Sequence, residues 1–227
     1  MTADSNAFAA VQQLSGLTPE EQQYLLTVAR GEGFYGLGWG NPSPKTVSDS
    51  QSFGLDPMAG VGSKNWGAVQ GIASAGSFKH VDYHANGTPY VGIFKKYSSD
   101  AEAAADVARI LLKPNVKSAL ASGSLNDAVL AQHANGYFEL DPKLYLAAVK
   151  KNYDTLVSNL GWPRLLDIKG GMIANHPLVF GSPSSDSARS SSTVLFSPLE
   201  NVEWQKTLEE TQSLLDSTIG PLDGKKC

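Results

Sequence analysis

Residues 18–36 read TPEEQQYLLTVARGEGFYG and carry the clearest helix signal in the chain. Thr18 is a good N-cap, Pro19 suits the first helical position, and Glu21 completes a capping box with Thr18. The glycines at the end of the segment interrupt the apolar periodicity. We therefore predict a helix that begins at Pro19 and ends at about Gly31–Gly33.

The last turn of this predicted helix carries an acidic residue on its apolar face. Glu32 follows Leu25, Val28 and Ala29 at the i, i+3, i+4, i+7 spacing of one helix face. Partial burial and the negative end of the helix dipole both disfavour a carboxylate there, so both raise the pKa of Glu32. A carboxyl that stays protonated near neutral pH can act as a general acid on a leaving oxygen. The alternative is a glutamate that turns out to solvent at a frayed helix end.

Outward from this helix, the chain alternates between helical patterns and polar loops. We expect a polar lead-in over residues 1–17 with no more than one loose helical turn, and an ordered loop over residues 36–77. Residues 78–96 alternate around Asn86-Gly87, which predicts a β-hairpin, and Pro89 predicts that its second arm is an edge strand. Further helices are predicted from Ser99 to Leu112, from Ser124 to just before Asn135, and from Asp141 to Leu160.

The composition changes after Trp162. Residues 163–196 are a predicted linker rich in Ser, Gly and Pro, and residues 197–227 a predicted amphipathic helix and tail. This helix carries Trp204 and cannot bury its apolar face alone, so it must rest on the domain or on another protein. Because a Ser-rich linker precedes the helix, we expect a contact with a protein of the same assembly. The predicted fold class is α+β and mainly helical: a domain of residues 18–162 with one small β-hairpin lobe, plus a C-terminal extension.

Bulk properties argue against several classes of function. The formal net charge is −4 and no block of Lys or Arg occurs, so no nucleic-acid partner is expected. No apolar run approaches the roughly 18 residues of a membrane span, so no membrane partner is expected. The first residues lack the basic and apolar character of a secretory signal. The single cysteine, Cys227, excludes an intramolecular disulfide and a cysteine-rich metal site.

The first arm of the predicted hairpin carries a second acidic residue. Asp82 shares one strand face with His80 and His84, because side chains alternate along a strand. If the hairpin folds over the end of the first helix, Asp82 comes opposite Glu32, and two carboxyls roughly 6.5–9.5 Å apart suit attack by water. The alternatives are a solvated aspartate on a strand and a zinc site formed by the two histidines and Asp82.

Five motifs follow one another in an order that is typical of one enzyme family. They are EGFYG (32–36), GSKNWGAVQ (62–70), HVDYHANG (80–87), FKKYSS (94–99) and NGYFELDPKLY (135–145). This order resembles glycoside hydrolase family 73, the endo-β-N-acetylglucosaminidases that include flagellar peptidoglycan hydrolase domains and staphylococcal autolysins. The resemblance extends over about residues 19–160. Gly33 and Phe34 stand where the family has Ser and Gly, and Asp82 stands where it usually has Glu.

The resemblance implies a lysozyme-like fold and cleavage of peptidoglycan strands, with no cofactor and no metal ion. By motif position, Glu32 corresponds to the general acid and Asp82 to the second carboxylate. Asn65, Trp66 and Tyr137 correspond to positions that line the cleft. Tyr83 is a further candidate for substrate binding, because aromatic rings stack on sugar faces.

Several alternatives stay open at this level. A lytic transglycosylase or a muramidase would use the same acid, Glu32. A zinc-dependent peptidoglycan peptidase would use His80, Asp82 and His84, whereas a wall-binding structural tail protein would need none of these residues. The resemblance implies that the site of action is the bacterial cell wall. The missing secretory signal and the C-terminal extension fit a phage lysin that is carried in the virion or released from the host cytoplasm.

Overall fold

The computed structural model describes residues 2–166, except Ala85 and Glu139. Within them lie seven α-helices: α1 (Ala3–Val11), α2 (Pro19–Gly33), α3 (Pro44–Ser52), α4 (Asp100–Leu111), α5 (Pro114–Ala121), α6 (Leu125–Ala134) and α7 (Pro142–Leu160). A 3-10 helix (Phe34–Gly40) follows α2, and two antiparallel strands, β1 (Ser77–Tyr83) and β2 (Pro89–Lys95), form the sheet.

This architecture confirms the predicted fold class, α+β and mainly helical with one hairpin. None of the helices in residues 2–166 is long and apolar enough to cross a membrane. The predicted linker from residue 167 onward and the predicted helix around Trp204 lie outside the described residues.

Helix α2 lies at the centre of the protein. Its predicted capping box is present: the Glu21 N–H donates to Thr18 Oγ1 and the Thr18 N–H donates to Glu21 Oε2, each at 3.2 Å. From Gln23 to Gly33 nearly every residue is buried, and α1, α4, α5 and α7 pack around the helix. A helix enclosed on all sides buries more than one stripe, so the amphipathic pattern underestimates how much of its second half is buried.

The N-terminal residues differ from the predicted polar lead-in with one loose turn. They form the nine-residue helix α1, which packs on α2, α4 and α7. Its buried face consists of Ala7, Ala10 and Val11 together with Asp4. Small residues and an aspartate give a weak apolar pattern, and for this reason the helix was not predicted.

Two further helices occupy segments for which none was predicted. Helix α3 lies within the expected loop of residues 36–77, and α5 directly follows α4. Both begin with proline, Pro44 and Pro114, and the Ser43 hydroxyl caps α3 by accepting from the Thr46 N–H at 3.1 Å. Proline at the first helical position also marks α2 and α7, so the same rule indicates these two helices.

The predicted hairpin is confirmed by β1 and β2, in which Asp82 lies opposite Tyr90. Phe78, His80 and Asp82 are buried on one strand face, as the alternation predicts. His84 follows the end of β1 and is exposed. The hairpin therefore turns an unusually polar face toward the protein interior.

A segment of three residues, 69–71, covers part of the outer edge of β2. The Lys95 N–H donates to the Val69 carbonyl oxygen at 2.9 Å, and the Gly71 N–H donates to the Ile93 carbonyl oxygen at 2.7 Å. The predicted edge strand therefore has hydrogen-bonded neighbours on both sides at this point. We call residues 69–71 the edge strap.

Trp39 joins the hairpin to the 3-10 helix. Its ring meets the rings of Phe78, His80 and Phe94 edge-on, at centroid distances of 4.9, 5.1 and 5.2 Å. Its indole N–H donates to the Asn65 carbonyl oxygen at 3.1 Å. The hairpin is thereby fixed to the segment that directly follows α2.

Helix α7 ends as predicted at Gly161, which has a φ of 62°. The next residues pack back on the helices. The Gln23 side-chain amide donates to the Pro163 carbonyl oxygen, and the N–H of the buried Leu166 donates to the Tyr153 hydroxyl, both at 2.9 Å. Residues 163–166, predicted as the start of the linker, therefore contact the domain, and Leu166 is buried in it.

Candidate active site

Glu32 lies in the last turn of α2 with only 4% of its surface exposed. Leu25, Val28 and Ala29 on the same face are buried too, as the spacing predicts. No cationic group in residues 2–166 forms an ion pair with the Glu32 carboxyl. Burial without a cation disfavours the charged form and raises the pKa of Glu32 to about 7.

The Tyr145 hydroxyl, on α7, donates to Glu32 Oε1 at 2.8 Å. This hydrogen bond favours the carboxylate and so opposes part of the rise in the pKa of Glu32. The Phe138 ring stacks on the Tyr145 ring at a centroid distance of 3.8 Å and fixes its orientation. Because Oε1 accepts from Tyr145, Oε2 is the oxygen that can carry the proton of the neutral carboxyl.

Two other buried tyrosines lie within electrostatic range of Glu32. Burial, and after it the charge of Glu32, raise the pKa of Tyr24 and of Tyr137. The Tyr24 hydroxyl donates to Gln132 Oε1 on α6. The structure thus brings Tyr137, one of the predicted substrate-binding residues, to the candidate acid in a setting of aromatic rings and hydroxyl groups.

The chain directly after Glu32 turns sharply through three left-handed residues. Phe34, Tyr35 and Gly36 have φ values of 47°, 59° and 81°. Each of the two non-glycine residues costs roughly 1–2 kcal/mol in this conformation. A Cβ on Gly36 would come within 3.1 Å of the Asn65 nitrogen, so this position also needs glycine for space. Neighbouring groups must therefore hold the turn.

Asn65 and Trp66 lie inside the protein next to this turn, Asn65 beside Gly36 and Trp66 against the Tyr35 ring. The fully buried Asn65 side chain donates to the carbonyl oxygens of Val69 (2.9 Å) and Lys95 (3.1 Å) and accepts from the Val69 N–H (2.8 Å). The buried Trp66 donates from Nε1 to Asp100 Oδ1 at 3.1 Å. Their predicted contact with substrate stays a prediction, and their packing gives each a structural role.

Asp82 is buried rather than solvated, with 6% of its surface exposed. Its Oδ2 accepts from Tyr90 Oη at 2.7 Å and from Gln70 Nε2 at 3.1 Å, and its Oδ1 accepts from the Tyr83 N–H at 2.9 Å. Burial raises the pKa of Asp82, although these hydrogen bonds oppose the rise. In residues 2–166, no hydrogen bond joins Asp82 to Glu32.

Tyr83 points to the opposite face of β1 from Asp82. Its hydroxyl donates to Asp49 Oδ2 on α3 at 2.8 Å. The Lys45 ammonium lies 3.5 Å from the centre of its ring. A lysine therefore lies over one face of the Tyr83 ring, and the contact of Tyr83 with substrate stays a prediction.

The predicted histidine-aspartate triplet does not converge on one point. His80 Nδ1 lies 2.7 Å from the Val81 carbonyl oxygen, and Nε2 lies 3.3 Å from the Pro57 carbonyl oxygen. The exposed His84 stacks on Tyr90 at a centroid distance of 4.6 Å. Throughout residues 2–166, no three His, Cys, Asp or Glu side chains are grouped so that they could hold a metal ion.

Three residues that donate to the candidate carboxyl groups were not predicted to do so: Gln70, Tyr90 and Tyr145. Tyr145, Ala148 and Val149 are spaced as on one face of a helix, so the burial of Tyr145 could be predicted. Its hydrogen-bond partner is 113 residues away in the chain, and no local pattern identifies such a contact. The alternation of β2 places Tyr90 on one face, but only the register reveals that it lies opposite Asp82.

Solved structures that are similar to this chain include two catalytic domains of other proteins. No protein-family model matches the chain, and no curated protein matches it. The glycoside hydrolase domain of FlgJ from Salmonella typhimurium is 18% identical, with a TM-score of 0.42, and the match covers 71% of this chain and 92% of that domain. The catalytic domain of the autolysin Auto from Listeria monocytogenes is 18% identical, with a TM-score of 0.30, and the match covers 71% of this chain and 96% of that domain.

Proposed function

We propose that this protein is a glycoside hydrolase of peptidoglycan in which Glu32 is the general acid. The observation that carries the proposal is the environment of Glu32: a buried carboxyl with no cationic partner in residues 2–166 and a pKa of about 7. Such a carboxyl keeps its proton near neutral pH and can transfer it when a leaving oxygen develops negative charge.

The chemical step breaks the bond between a sugar C1 and the bridging oxygen. Glu32 donates the proton from Oε2 to the bridging oxygen as this bond breaks. The Tyr145 hydroxyl, which donates to Oε1, stabilises the carboxylate that is left. That negative charge in turn stabilises the positive charge that develops at C1.

Asp82 is the proposed second carboxylate. In its ionised form it accepts a proton from the attacking water, whose oxygen forms the new bond to C1. Tyr90 and Gln70 hold Oδ2, so the orientation of the carboxylate is set before substrate binds.

Lytic transglycosylation is the second candidate, and the hydrogen bonds of Asp82 favour it. Both Asp82 oxygens already accept from groups of the protein, so the carboxylate is less available to water. In this alternative Glu32 acts alone. The 6-hydroxyl of the same sugar attacks C1, the Glu32 carboxylate accepts its proton, and the product has an anhydro end.

Peptidoglycan as the substrate class is supported by the five ordered motifs of residues 32–145. The cell wall is therefore the proposed site of action, and delivery as a phage lysin belongs to the same proposal. Burial of a glutamate without a cationic partner costs stability. An enzyme gains a raised pKa from this burial, whereas a wall-binding tail protein without turnover gains nothing from it.

Mass spectrometry of the fragments released from purified peptidoglycan tests the proposal. A reducing N-acetylglucosamine end indicates the glucosaminidase, a reducing N-acetylmuramic acid end a muramidase, and an anhydro end the transglycosylase. Intact glycan strands with cut peptides would overturn the proposal, and so would the absence of any product from a folded protein.

Tyr145→Phe is expected to move the basic limb of the pH–rate profile to higher pH. The Tyr145 hydrogen bond lowers the pKa of Glu32, so its removal raises that pKa further above its ordinary value. A hydrogen bond to a charged group corresponds to a shift on the order of one pH unit. The measurement is kcat between about pH 5 and about pH 9, a range that brackets the expected limb.

Tyr153→Phe on the same helix is the matched control. The Tyr153 hydroxyl donates to Gln23 Oε1 at 2.9 Å and does not meet Glu32. We expect the basic limb of the pH–rate profile of Tyr153→Phe to coincide with that of the unchanged protein. If the basic limb of Tyr145→Phe does not move, the Tyr145 hydroxyl does not influence the pKa of Glu32, and the prediction is wrong.

Activity is expected to survive treatment with EDTA followed by dialysis. The proposed chemistry needs no metal ion for any step, and the ring nitrogens of His80 face backbone carbonyl oxygens. Peptidoglycan cleavage before and after chelation measures this. Loss of activity that added zinc restores would favour the metal-dependent alternative at His80, Asp82 and His84.

A further inference from the structure

Asp4 on α1 is a buried charged residue that the proposed chemistry does not use. Only 3% of its surface is exposed. Its Oδ1 accepts from Arg30 Nε at 3.3 Å and from the Tyr35 hydroxyl at 3.0 Å, and its Oδ2 accepts from Asn159 Nδ2 at 2.8 Å. A buried charge with this many donors fixes the geometry of its neighbours more than it adds net stability.

The two residues that share Asp4 Oδ1 lie on either side of Glu32 in the chain. Arg30 lies two residues before Glu32 in α2, and Tyr35 is the second residue of the left-handed turn that follows Glu32. Arg30 also donates to Asn152 Oδ1 at 2.8 Å, and its guanidinium carbon lies 5.1 Å from the centre of the Phe34 ring. Asp4 therefore holds Tyr35 directly, and it holds Phe34 through Arg30.

We propose that Asp4 is a positioning residue for Glu32. Through Arg30 and Tyr35 it holds the left-handed turn, and the turn fixes the direction in which the Glu32 carboxyl leaves the end of α2. This inference rests on the proposed function of Glu32. It makes helix α1 part of the catalytic apparatus, although the family-like motifs begin only after this helix.

The test measures kcat and KM of full-length variants on dye-labelled peptidoglycan. Asp4→Ala removes the acceptor of both neighbours, and kcat is expected to fall about tenfold, the effect of a modest misalignment of the acid. KM is expected to stay within about twofold, because no group that meets the substrate is changed. Asp4→Asn keeps an acceptor oxygen of the same size and is expected to recover most of kcat.

Phe8→Ala is the matched control on the same helix. The Phe8 ring packs edge-on against Trp162 at a centroid distance of 5.2 Å, away from the turn. Its loss weakens the attachment of α1 and lowers Tm, but it leaves the contacts of Asp4 in place. Measured well below its Tm, this variant is expected to keep the kcat of the unchanged protein.

An unchanged kcat in folded Asp4→Ala would overturn the proposal, and so would equal losses in Asp4→Ala and Phe8→Ala. If Asp4→Ala does not fold, Tyr35→Phe decides: we expect kcat to fall about threefold at constant KM, and an unchanged kcat overturns the proposal. Glu32→Gln is measured alongside. Full activity of Glu32→Gln would contradict the proposed function itself. An inactive Glu32→Gln together with a fully active Asp4→Ala would contradict only the proposed role of Asp4.

Discussion

Replacing Glu32 with Gln is expected to slow peptidoglycan cleavage at least about a hundredfold while the protein stays folded. Glutamine has the shape of glutamic acid, and its amide oxygen can still accept from the Tyr145 hydroxyl. It has no proton acidic enough to transfer to a leaving oxygen. The replacement breaks no ion pair within residues 2–166, so the loss of rate reflects the chemistry and not the fold.

Release of soluble fragments from purified peptidoglycan at about pH 6, where Glu32 is mostly protonated, measures this loss. Glu20→Gln is the control, because it makes the same chemical change in the first turn of the same helix, far from the acid. We expect the control to cleave at the normal rate. A folded Glu32→Gln protein with near-normal cleavage would exclude Glu32 as the general acid.

The same replacement is expected to change how stability depends on pH. Folding raises the pKa of Glu32 from 4.5 to about 7, so the folded state binds the proton more tightly than the unfolded state. The resulting contribution is fully present below about pH 4.5 and is lost as the pH rises to about 7. The difference between these pKa values corresponds to about 3 kcal/mol in the free energy of unfolding.

Urea unfolding of both proteins at pH 4.5 and pH 8, values chosen to bracket the titration of Glu32, measures this effect. From the lower to the higher pH, the stability of Glu32→Gln relative to the unchanged protein should rise by about 3 kcal/mol. Other titrating groups, Asp82 included, are present in both proteins and cancel in the comparison. A stability difference that does not vary with pH would mean that Glu32 titrates normally in the folded protein.

Local sequence patterns predicted the elements that rest on local chemistry. The capping box at Thr18, the turn at Asn86-Gly87 and the glycine at 161 each depend on a few neighbouring residues, and each lies where it was expected. The same holds for the burial of Glu32, which follows from the helical period. Helix α1 could not be predicted in this way, because its small residues are buried only through contacts with distant helices.

The contacts around the candidate acid depend on tertiary structure. Motif order made Asn65 a candidate for substrate binding, but its amide is fully engaged by the Val69 and Lys95 backbone. Tyr145 meets Glu32 only because α7 packs against α2. A motif identifies a position in a family pattern, whereas the hydrogen-bond partner of a buried side chain is set by the packing of the whole domain.

The edge strap has a consequence for the behaviour of the protein at high concentration. Near it, Ile72, Val91 and Ile93 are exposed aliphatic residues on or beside a strand edge. A bare edge of this kind is a template for pairing with another chain and leads to aggregation. Residues 69–71 occupy two backbone groups of this edge, the Lys95 N–H and the Ile93 carbonyl oxygen, and the Asn65 amide donates to Val69 within the strap. At this point the edge offers another chain fewer groups to pair with, which is a contribution to colloidal behaviour that is independent of any ligand.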